Sequence, residues 1–185
     1  FINLKKSKPQ INSHIIILGY MGCGKTSIAQ YLANKLNLNW IDLDQIIESN
    51  ENMKISTIFD LKGELEFRKI ENKTLIQVLS SSKKSVVSLG GGTPCYFNNM
   101  NLIIENSINV FYINISIKTL SKRLYNEKNH RPIISQFDSL NKINEFVAKH
   151  LFERINFYNM ANHKIKGEEK DVEQIGKEII EIINQ

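Results

Sequence analysis

The residues best suited to chemistry lie in one glycine-rich stretch near the start of the chain, Gly19-Tyr20-Met21-Gly22-Cys23-Gly24-Lys25-Thr26, followed by Ser27. A glycine, four residues and then Gly-Lys-Thr is the spacing of a phosphate-binding P-loop. Its glycines let the backbone point successive N–H groups inward around an anion. Lys25 adds a point charge for the outer phosphates, and the Thr26 hydroxyl is a hard oxygen ligand suited to Mg²⁺. We therefore expect nucleotide phosphates to be bound by Gly22, Cys23, Gly24, Lys25, Thr26 and Ser27.

The segments on either side of the loop support this interpretation. Ile15 to Leu18 is an unbroken apolar run, typical of a buried parallel strand. After the loop, apolar residues recur at helical spacing, at Ile28, Ala29, Leu32, Ala33 and Leu36. A helix that starts at the loop adds free N–H groups and a favourable dipole for phosphate. A glycine-rich turn with a chance lysine is the alternative, and it is less consistent with a strand before and a helix after.

Two carboxylates follow the P-loop helix. Trp40 to Asp44 predicts a short second strand, with Asp42 and Asp44 near its carboxyl end. In open α/β sheets ligands bind at the carboxyl ends of the strands, so both carboxylates would face the P-loop. The alternative is that they cap the next helix, predicted from Gln45 to Ser49, a role that suits Asp44 in particular.

Arginine is scarce in this chain: of 24 basic residues only four are arginine, namely Arg68, Arg123, Arg131 and Arg154. Because the planar guanidinium binds a carboxylate or phosphate through two parallel bonds, each of them invites a geometric explanation. Arg68 and Glu71 lie three apart in a predicted helix, so they share a face. They form either a surface ion pair or an arginine that Glu71 orients toward an anion.

A second glycine-rich loop, Gly90-Gly91-Gly92-Thr93-Pro94, follows a third predicted strand at Val86 to Leu89. Successive glycines expose backbone amides and permit close ligand approach. A flexible turn is the alternative, but the position after a core strand and the stiffening proline favour a loop that contacts a ligand.

Further elements must position these residues. A polar segment over residues 126–134 contains Arg131-Pro132 and is a candidate lid over the phosphates. The other predicted elements are two helices over 54–79 with a break near Gly63, a strand over 109–115, a helix over 116–125, a helix over 141–160, a strand over 163–166 and an amphipathic helix from Val172 to Ile183.

Composition limits the class of protein. At 185 residues, with 42% hydrophobic and 23% charged residues, the chain suits one globular domain. No apolar run approaches the ~20 residues that span a bilayer. Residues 1–13 lack the pattern of a secretory signal, and Phe1 suggests that at least an initiator methionine is missing. Cys23 and Cys95 have no metal-ligand spacing, which favours a reducing cytoplasm. The net charge of +5 is scattered, so we expect a monomer without nucleic-acid or membrane partners.

Five features occur in one order along the chain: the P-loop, Asp42-Leu43-Asp44, Phe67-Arg68 with Glu71, the triple glycine, and Arg131-Pro132 ahead of Arg154. This ordered set resembles the shikimate kinase family, from about Ile15 to Ile183. The resemblance implies an α/β fold, a three-layer sandwich with a five-stranded parallel sheet flanked by helices, of the P-loop NTPase (nucleoside-monophosphate-kinase-like) type. Residues 1–185 would form a single kinase domain, with substrate-binding helices over about 44–79 and a mobile lid over about 124–140.

The resemblance also implies the reaction and the roles on the nucleotide side. ATP, with Mg²⁺ as cofactor, would phosphorylate the 3-hydroxyl of shikimate. Lys25 and the P-loop amides would hold the nucleotide phosphates. Thr26 would bind Mg²⁺, with Asp42 near the metal through water. Arg131 would close over the transferring phosphoryl group.

On the acceptor side, the resemblance implies that Asp44 holds the shikimate hydroxyls and orients or deprotonates the attacking one. Arg68 and Arg154 would grip the shikimate carboxylate, and Gly90, Gly91 and Gly92 would contact the substrate through backbone amides. One departure concerns Arg123, since family members often carry an arginine closer before Arg-Pro, near the adenine. We assign Arg123 no role from the sequence.

Two alternatives remain at this point. A kinase for gluconate or a nucleoside monophosphate would share the P-loop and lid, although it would not explain a triple glycine with two arginines suited to one carboxylate. A nucleotide-binding regulatory module without catalysis is the other, although every polar group expected of the kinase is present.

Overall fold

A five-stranded parallel sheet forms the centre of the protein, with strand order β2-β3-β1-β4-β5. The computed structural model describes residues 12–128 and 132–185. The strands are β1 (Ile15–Leu18), β2 (Asn39–Asp42), β3 (Ser85–Ser88), β4 (Asn109–Asn114) and β5 (His163–Lys166). The described helices are α1 (Lys25–Leu36), α2 (Leu43–Glu51), α3 (Ile55–Leu79), α4 (Asn99–Asn106), α5 (Ile117–Asn126), α6 (Pro132–Ser135), α7 (Leu140–Tyr158) and α8 (Val172–Ile183).

Strand β1 lies in the middle of the sheet, between β3 and β4, and its four residues are fully buried. A parallel strand with both faces covered is a continuous apolar run, because helices pack on both sides of it. The sequence Ile-Ile-Ile-Leu therefore specifies a central strand. The predicted fold, a five-stranded parallel sheet flanked by helices, is confirmed.

The strand register brings three functional segments to one edge of the sheet. Ile17 pairs with Ser88, and Ser88 in turn pairs with Asp42. Because all three strands run in the same direction, the P-loop after β1, the acidic segment after β2 and the triple glycine after β3 leave the sheet side by side.

The boundaries of two helices differ from or refine the sequence prediction. Helix α2 begins at Leu43, two residues earlier than predicted, so Asp44 lies in its first turn and not on a strand. Helix α3 is interrupted at Gly63, whose φ of 78° and ψ of 168° are not helical. The break predicted near Gly63 is thereby confirmed.

The sequence patterns did not predict helix α4, helix α6 or the 3₁₀ turn at Thr93–Cys95. Helix α4 has eight residues and three asparagines, which favour turns over helices in isolation. It forms because Met100 and Ile103 are buried in the core. Across the described residues, no helix is both long and apolar enough to cross a membrane.

Candidate active site

The P-loop backbone adopts a conformation that requires its glycines. Gly19, Gly22 and Gly24 have φ values of 146°, 80° and 92°, which residues with a Cβ rarely adopt. A Cβ on Gly19 would also lie 2.8 Å from the Ile113 carbonyl oxygen. Gly24 directly precedes helix α1, so the loop ends at the amino end of that helix. A glycine-rich loop that leads directly into a helix is the arrangement that the sequence predicted.

The loop forms one wall of a cleft of about 340 Å³. The ammonium of Lys25 donates to the Tyr20 carbonyl at 3.0 Å and so lies over the loop. The same cleft is also lined by Asp42, Asp44 and the Leu89–Gly91 segment. The cleft therefore contains both a cationic group and carboxyl groups, a combination suited to phosphates and a metal ion.

The Cys23 side chain is turned away from this cleft. Its exposed fraction is 2%, and its sulfur lies 4.0 Å from the Lys25 Nζ. The thiol therefore belongs to the core.

Asp42, and not Asp44, caps helix α2. The Asp42 Oδ1 accepts a hydrogen bond from the Gln45 backbone N–H at 3.2 Å. Its Oδ2 accepts from Ser88 Oγ at 2.9 Å and from Thr26 Oγ1 at 3.4 Å. The capping alternative thus applies to Asp42, whereas the sequence analysis considered it best suited to Asp44.

This pairing of Thr26 and Asp42 fits a magnesium ion. Mg²⁺ is held in such sites by a few oxygen ligands together with substrate phosphates, and not by a cage of protein side chains. The described residues contain no cluster of three or more histidine, cysteine, aspartate or glutamate side chains that could hold a metal alone. The two oxygen donors therefore suit an ion that arrives with its nucleotide.

Asp44 lies deeper in the cleft, in the first turn of α2, where Gly90 makes room for it. A Cβ on Gly90 would lie 2.8 Å from the Asp44 Oδ1. Burial, together with the negative charges of Asp42 and Glu71, raises the pKa of Asp44 to about 6, against the opposing effect of Lys25 and Arg68. A carboxylate whose pKa lies near neutrality is suited to accept a proton from a substrate.

Arg68 forms a buried network and not a surface ion pair. Its Nη1 donates to Glu71 at 2.8 Å, and Glu71, which is 1% exposed, also accepts from Thr93 Oγ1 at 2.6 Å. The guanidinium carbon lies 3.9 Å from the centre of the Tyr96 ring. Within the described part of the chain, the Arg68 Nε has no hydrogen-bond partner. Glu71 orients Arg68, as one of the two sequence readings proposed.

Arg154, on α7, is also buried and lies beside the same glycine loop. A Cβ on Gly91 would come within 3.7 Å of the Arg154 Nη1, and a Cβ on Gly92 within 2.7 Å of the Arg68 Nη2. Adjacent glycines thus face different arginines. The structure brings together Arg68, Arg154 and the triple glycine, which are far apart in sequence.

The two remaining arginines are Arg131 and Arg123. Arg131 lies outside the described residues. Arg123, to which the sequence assigned no role, donates from Nη1 to the Gly22 carbonyl at 3.2 Å. Its position on α5 therefore places it against the nucleotide loop.

Sequence reasoning missed several residues that support the site. Ser88 donates a hydrogen bond to the carboxylate of Asp42, and Thr93 donates one to Glu71. Tyr158 donates to the Gly91 carbonyl at 2.6 Å. Only Tyr158 had a usable signal, since it follows Arg154 by four residues and so shares its helix face. The other contacts depend on how the loops fold together.

Three features define a P-loop kinase with the nucleoside-monophosphate-kinase-like fold. They are the strand order, the P-loop between β1 and α1, and the carboxyl groups and arginines beside the triple glycine. The shikimate kinase family model matches residues 21–184. A shikimate kinase of Flavobacterium johnsoniae is 41% identical over 169 residues, which cover 91% of this chain and 98% of the relative. The chain belongs to the shikimate kinase family, and it is therefore an ATP-dependent kinase.

Solved structures show the same relationship. The shikimate kinase of Bacteroides thetaiotaomicron has a TM-score of 0.86 at 30% identity and covers 94% of this chain and 99% of its own. A shikimate kinase of Acinetobacter baumannii in complex with shikimate has a TM-score of 0.81 at 26% identity, with 95% and 94% covered. A gluconokinase of Sinorhizobium meliloti, at 14% identity and a TM-score of 0.55, shares the fold alone.

Proposed function

We propose that this chain transfers the γ-phosphate of ATP to the 3-hydroxyl of shikimate, and that the cleft residues described above carry out the reaction. The observation that supports it best is the pair of buried arginines, Arg68 and Arg154, beside neighbouring glycines at the cleft edge. A single acceptor carboxylate accounts for two such cations. The related Acinetobacter baumannii enzyme was solved in complex with shikimate, which is consistent with this acceptor.

On the nucleotide side, the P-loop amides and the Lys25 ammonium bind the phosphates of ATP. The Thr26 hydroxyl would hold Mg²⁺ together with Asp42, whose oxygens also accept hydrogen bonds from Ser88 and Gln45. The ion, when bound with ATP, neutralises charge on the phosphates. Lys25 adds a positive charge where negative charge builds up during transfer.

On the acceptor side, Arg68 and Arg154 hold the shikimate carboxylate through paired hydrogen bonds. The backbone amides of Gly90, Gly91 and Gly92 contact the substrate. Asp44 accepts a hydrogen bond from the attacking hydroxyl, which orients it toward the phosphate. Its raised pKa lets it take the hydroxyl proton as the new bond to phosphorus forms. Positioning and charge neutralisation account for most of the catalysis in such transfers.

The proposal extends to the rest of the molecule. Residues 1–185 act as one kinase domain, in which residues 44–79 bind the acceptor and residues 124–140 form the lid that brings Arg131 to the phosphates. The enzyme works as a cytoplasmic monomer without a nucleic-acid or membrane partner. Two observations support this part of the proposal: Cys23 and Cys95 have no metal-ligand spacing, and the charged residues are scattered along the sequence.

The test is an acceptor panel with ATP and Mg²⁺ in which ADP release is measured for shikimate, gluconate and nucleoside monophosphates. Shikimate should be the preferred acceptor, and its product should be shikimate 3-phosphate by mass spectrometry. Lys25→Ala should abolish turnover, while the exposed Lys118→Ala should not alter it. Preference for gluconate or a nucleotide would refute the proposed acceptor. ATP binding without turnover on any acceptor would favour a regulatory module.

A further inference from the structure

Helix α7 presents three side chains, four residues apart, to the two ligand-binding loops. His150 contacts the P-loop, Arg154 lies beside Gly91, and Tyr158 donates to the carbonyl of that same glycine. Residues at this spacing occupy one helix face. One face of one helix therefore contacts both the nucleotide loop and the acceptor loop.

The contact with the P-loop is a partly buried hydrogen bond. The hydroxyl of Tyr20 lies 3.0 Å from the His150 Nδ1, and the two rings meet edge to face at 5.7 Å. Tyr20 is 1% exposed. Burial raises the pKa of Tyr20 to about 12, against the opposing charge of Arg154. Burial also lowers the pKa of His150 to about 4, and here the charge of Arg154 adds to the effect. Both partners are therefore uncharged at neutral pH, and the bond is a neutral one.

His150 is held from its other side as well. The Phe146 ring, one turn earlier on α7, lies 5.1 Å from the His150 ring, and Phe137 packs on Phe146 at the same distance. The Arg154 guanidinium carbon lies 6.0 Å from the Tyr20 ring centre. Tyr20 is thus in contact with the residue that holds its hydroxyl and close to the arginine assigned to the acceptor carboxylate.

We propose that Tyr20 and His150 are positioning residues that couple the two substrates: nucleotide bound at the P-loop fixes Tyr20, which through His150 fixes the part of α7 that carries Arg154. This inference rests on the proposed function, since it concerns shikimate at Arg154. No other role in catalysis is assigned to either residue.

The physical basis is shared ordering. A ligand that orders the loop also orders the helix bonded to it, so the second ligand loses less conformational freedom when it binds. Coupling between two sites is reciprocal. Shikimate must therefore increase the affinity for nucleotide by the same factor by which nucleotide increases the affinity for shikimate. That equality distinguishes coupling from local damage to either site.

The experiment measures shikimate affinity by calorimetry, alone and with a saturating non-hydrolysable ATP analogue and Mg²⁺. In the native protein the analogue should increase the affinity for shikimate, and the ratio of the two affinities is the tightening factor. Tyr20→Phe removes the hydroxyl and keeps the ring, so the tightening factor should fall by about two- to tenfold, as expected for one lost partly buried hydrogen bond. His150→Phe should act alike, and the double variant should lose no more than either single variant.

Tyr31→Phe is the matched control, because Tyr31 lies on α1 against Gly176 and away from the cleft. It should leave the tightening factor unchanged, and melting temperatures report folding for every variant. Two outcomes overturn the inference but not the proposed function. One is an unchanged tightening factor in Tyr20→Phe and His150→Phe; the other is a native protein whose shikimate affinity does not change when nucleotide binds. A native protein that does not bind shikimate overturns the proposed function, and the inference with it.

Discussion

Asp44 is the residue whose chemistry depends most on its surroundings. Its pKa of about 6 places the change from neutral acid to carboxylate within the working range of an enzyme. Only the carboxylate can accept the hydroxyl proton. We therefore expect kcat/KM for shikimate to fall about tenfold for each pH unit below about 6. A pH profile from 5 to about 8 checks this, and a flat profile down to pH 5 would contradict it.

Arginine and lysine differ in geometry, and this difference gives a second prediction at the residue scale. Arg68→Lys and Arg154→Lys should each weaken shikimate about 10–100-fold, because an ammonium cannot form two parallel bonds to a carboxylate. ATP affinity should change little. Titrations of each variant with shikimate and with ATP test the assignment, which would be wrong if only ATP binding suffered.

Arg123→Lys provides the contrast within the same set. The sequence left this arginine without a role and so made it a natural control. Its bond to the Gly22 carbonyl changes that choice, because a substitution there acts on the nucleotide loop. We expect Arg123→Lys to weaken ATP binding and to leave the shikimate affinity near its native value.

Helices α2 and α3 each place a functional side chain against the triple-glycine loop between β3 and the 3₁₀ turn. Gly90 and Gly92 have ordinary negative φ values, so alanine is not excluded by backbone conformation. Space is the constraint: the added Cβ would approach Asp44 Oδ1 to 2.8 Å at Gly90 and Arg68 Nη2 to 2.7 Å at Gly92. Alanine at either position would therefore displace a functional side chain from the loop.

This packing separates the effects of two alanine substitutions. Gly92→Ala should displace the Arg68 guanidinium and raise KM for shikimate at least about tenfold. Gly90→Ala should displace Asp44 and mainly lower kcat. Steady-state kinetics with shikimate and ATP distinguish the two. Equal effects on kcat and KM in both variants would mean that the loop acts as one unit, contrary to the contacts.

At the scale of the whole molecule, the site reduces the stability of the fold. The pKa of Asp44 is higher in the folded protein than its ordinary value of 3.8, so the folded state binds its proton more tightly than the unfolded chain does. The free energy of unfolding therefore falls as pH rises from about 4 to about 6, and the loss is complete above that range.

Asp44→Asn should remove this loss while abolishing most activity. We expect the variant to be about 1–2 kcal/mol more stable than the native protein at pH 7, a figure that allows for partial screening by solvent, and to show no gain near pH 4. Urea unfolding at both pH values measures the difference. A variant less stable at pH 7 would show that the carboxylate contributes to folding through contacts.

Local sequence patterns predicted the parts of the structure that depend on neighbouring residues. The Ile15–Leu18 run specified a buried strand, the glycine spacing specified the P-loop, and a helix break was visible at Gly63. These features depend on backbone freedom and hydrophobic periodicity, which neighbouring residues carry. The motif order also sufficed to recognise the family.

Only the tertiary structure decided which carboxylate caps α2, that Arg68 is buried with Glu71, and that Arg123 reaches the P-loop. Each depends on contacts between segments far apart in the chain, and no local pattern encodes them. The His150 contact with Tyr20 spans 130 residues. Such pairs form because the parallel sheet places successive loops side by side at one edge, so their side chains meet only once the sheet exists.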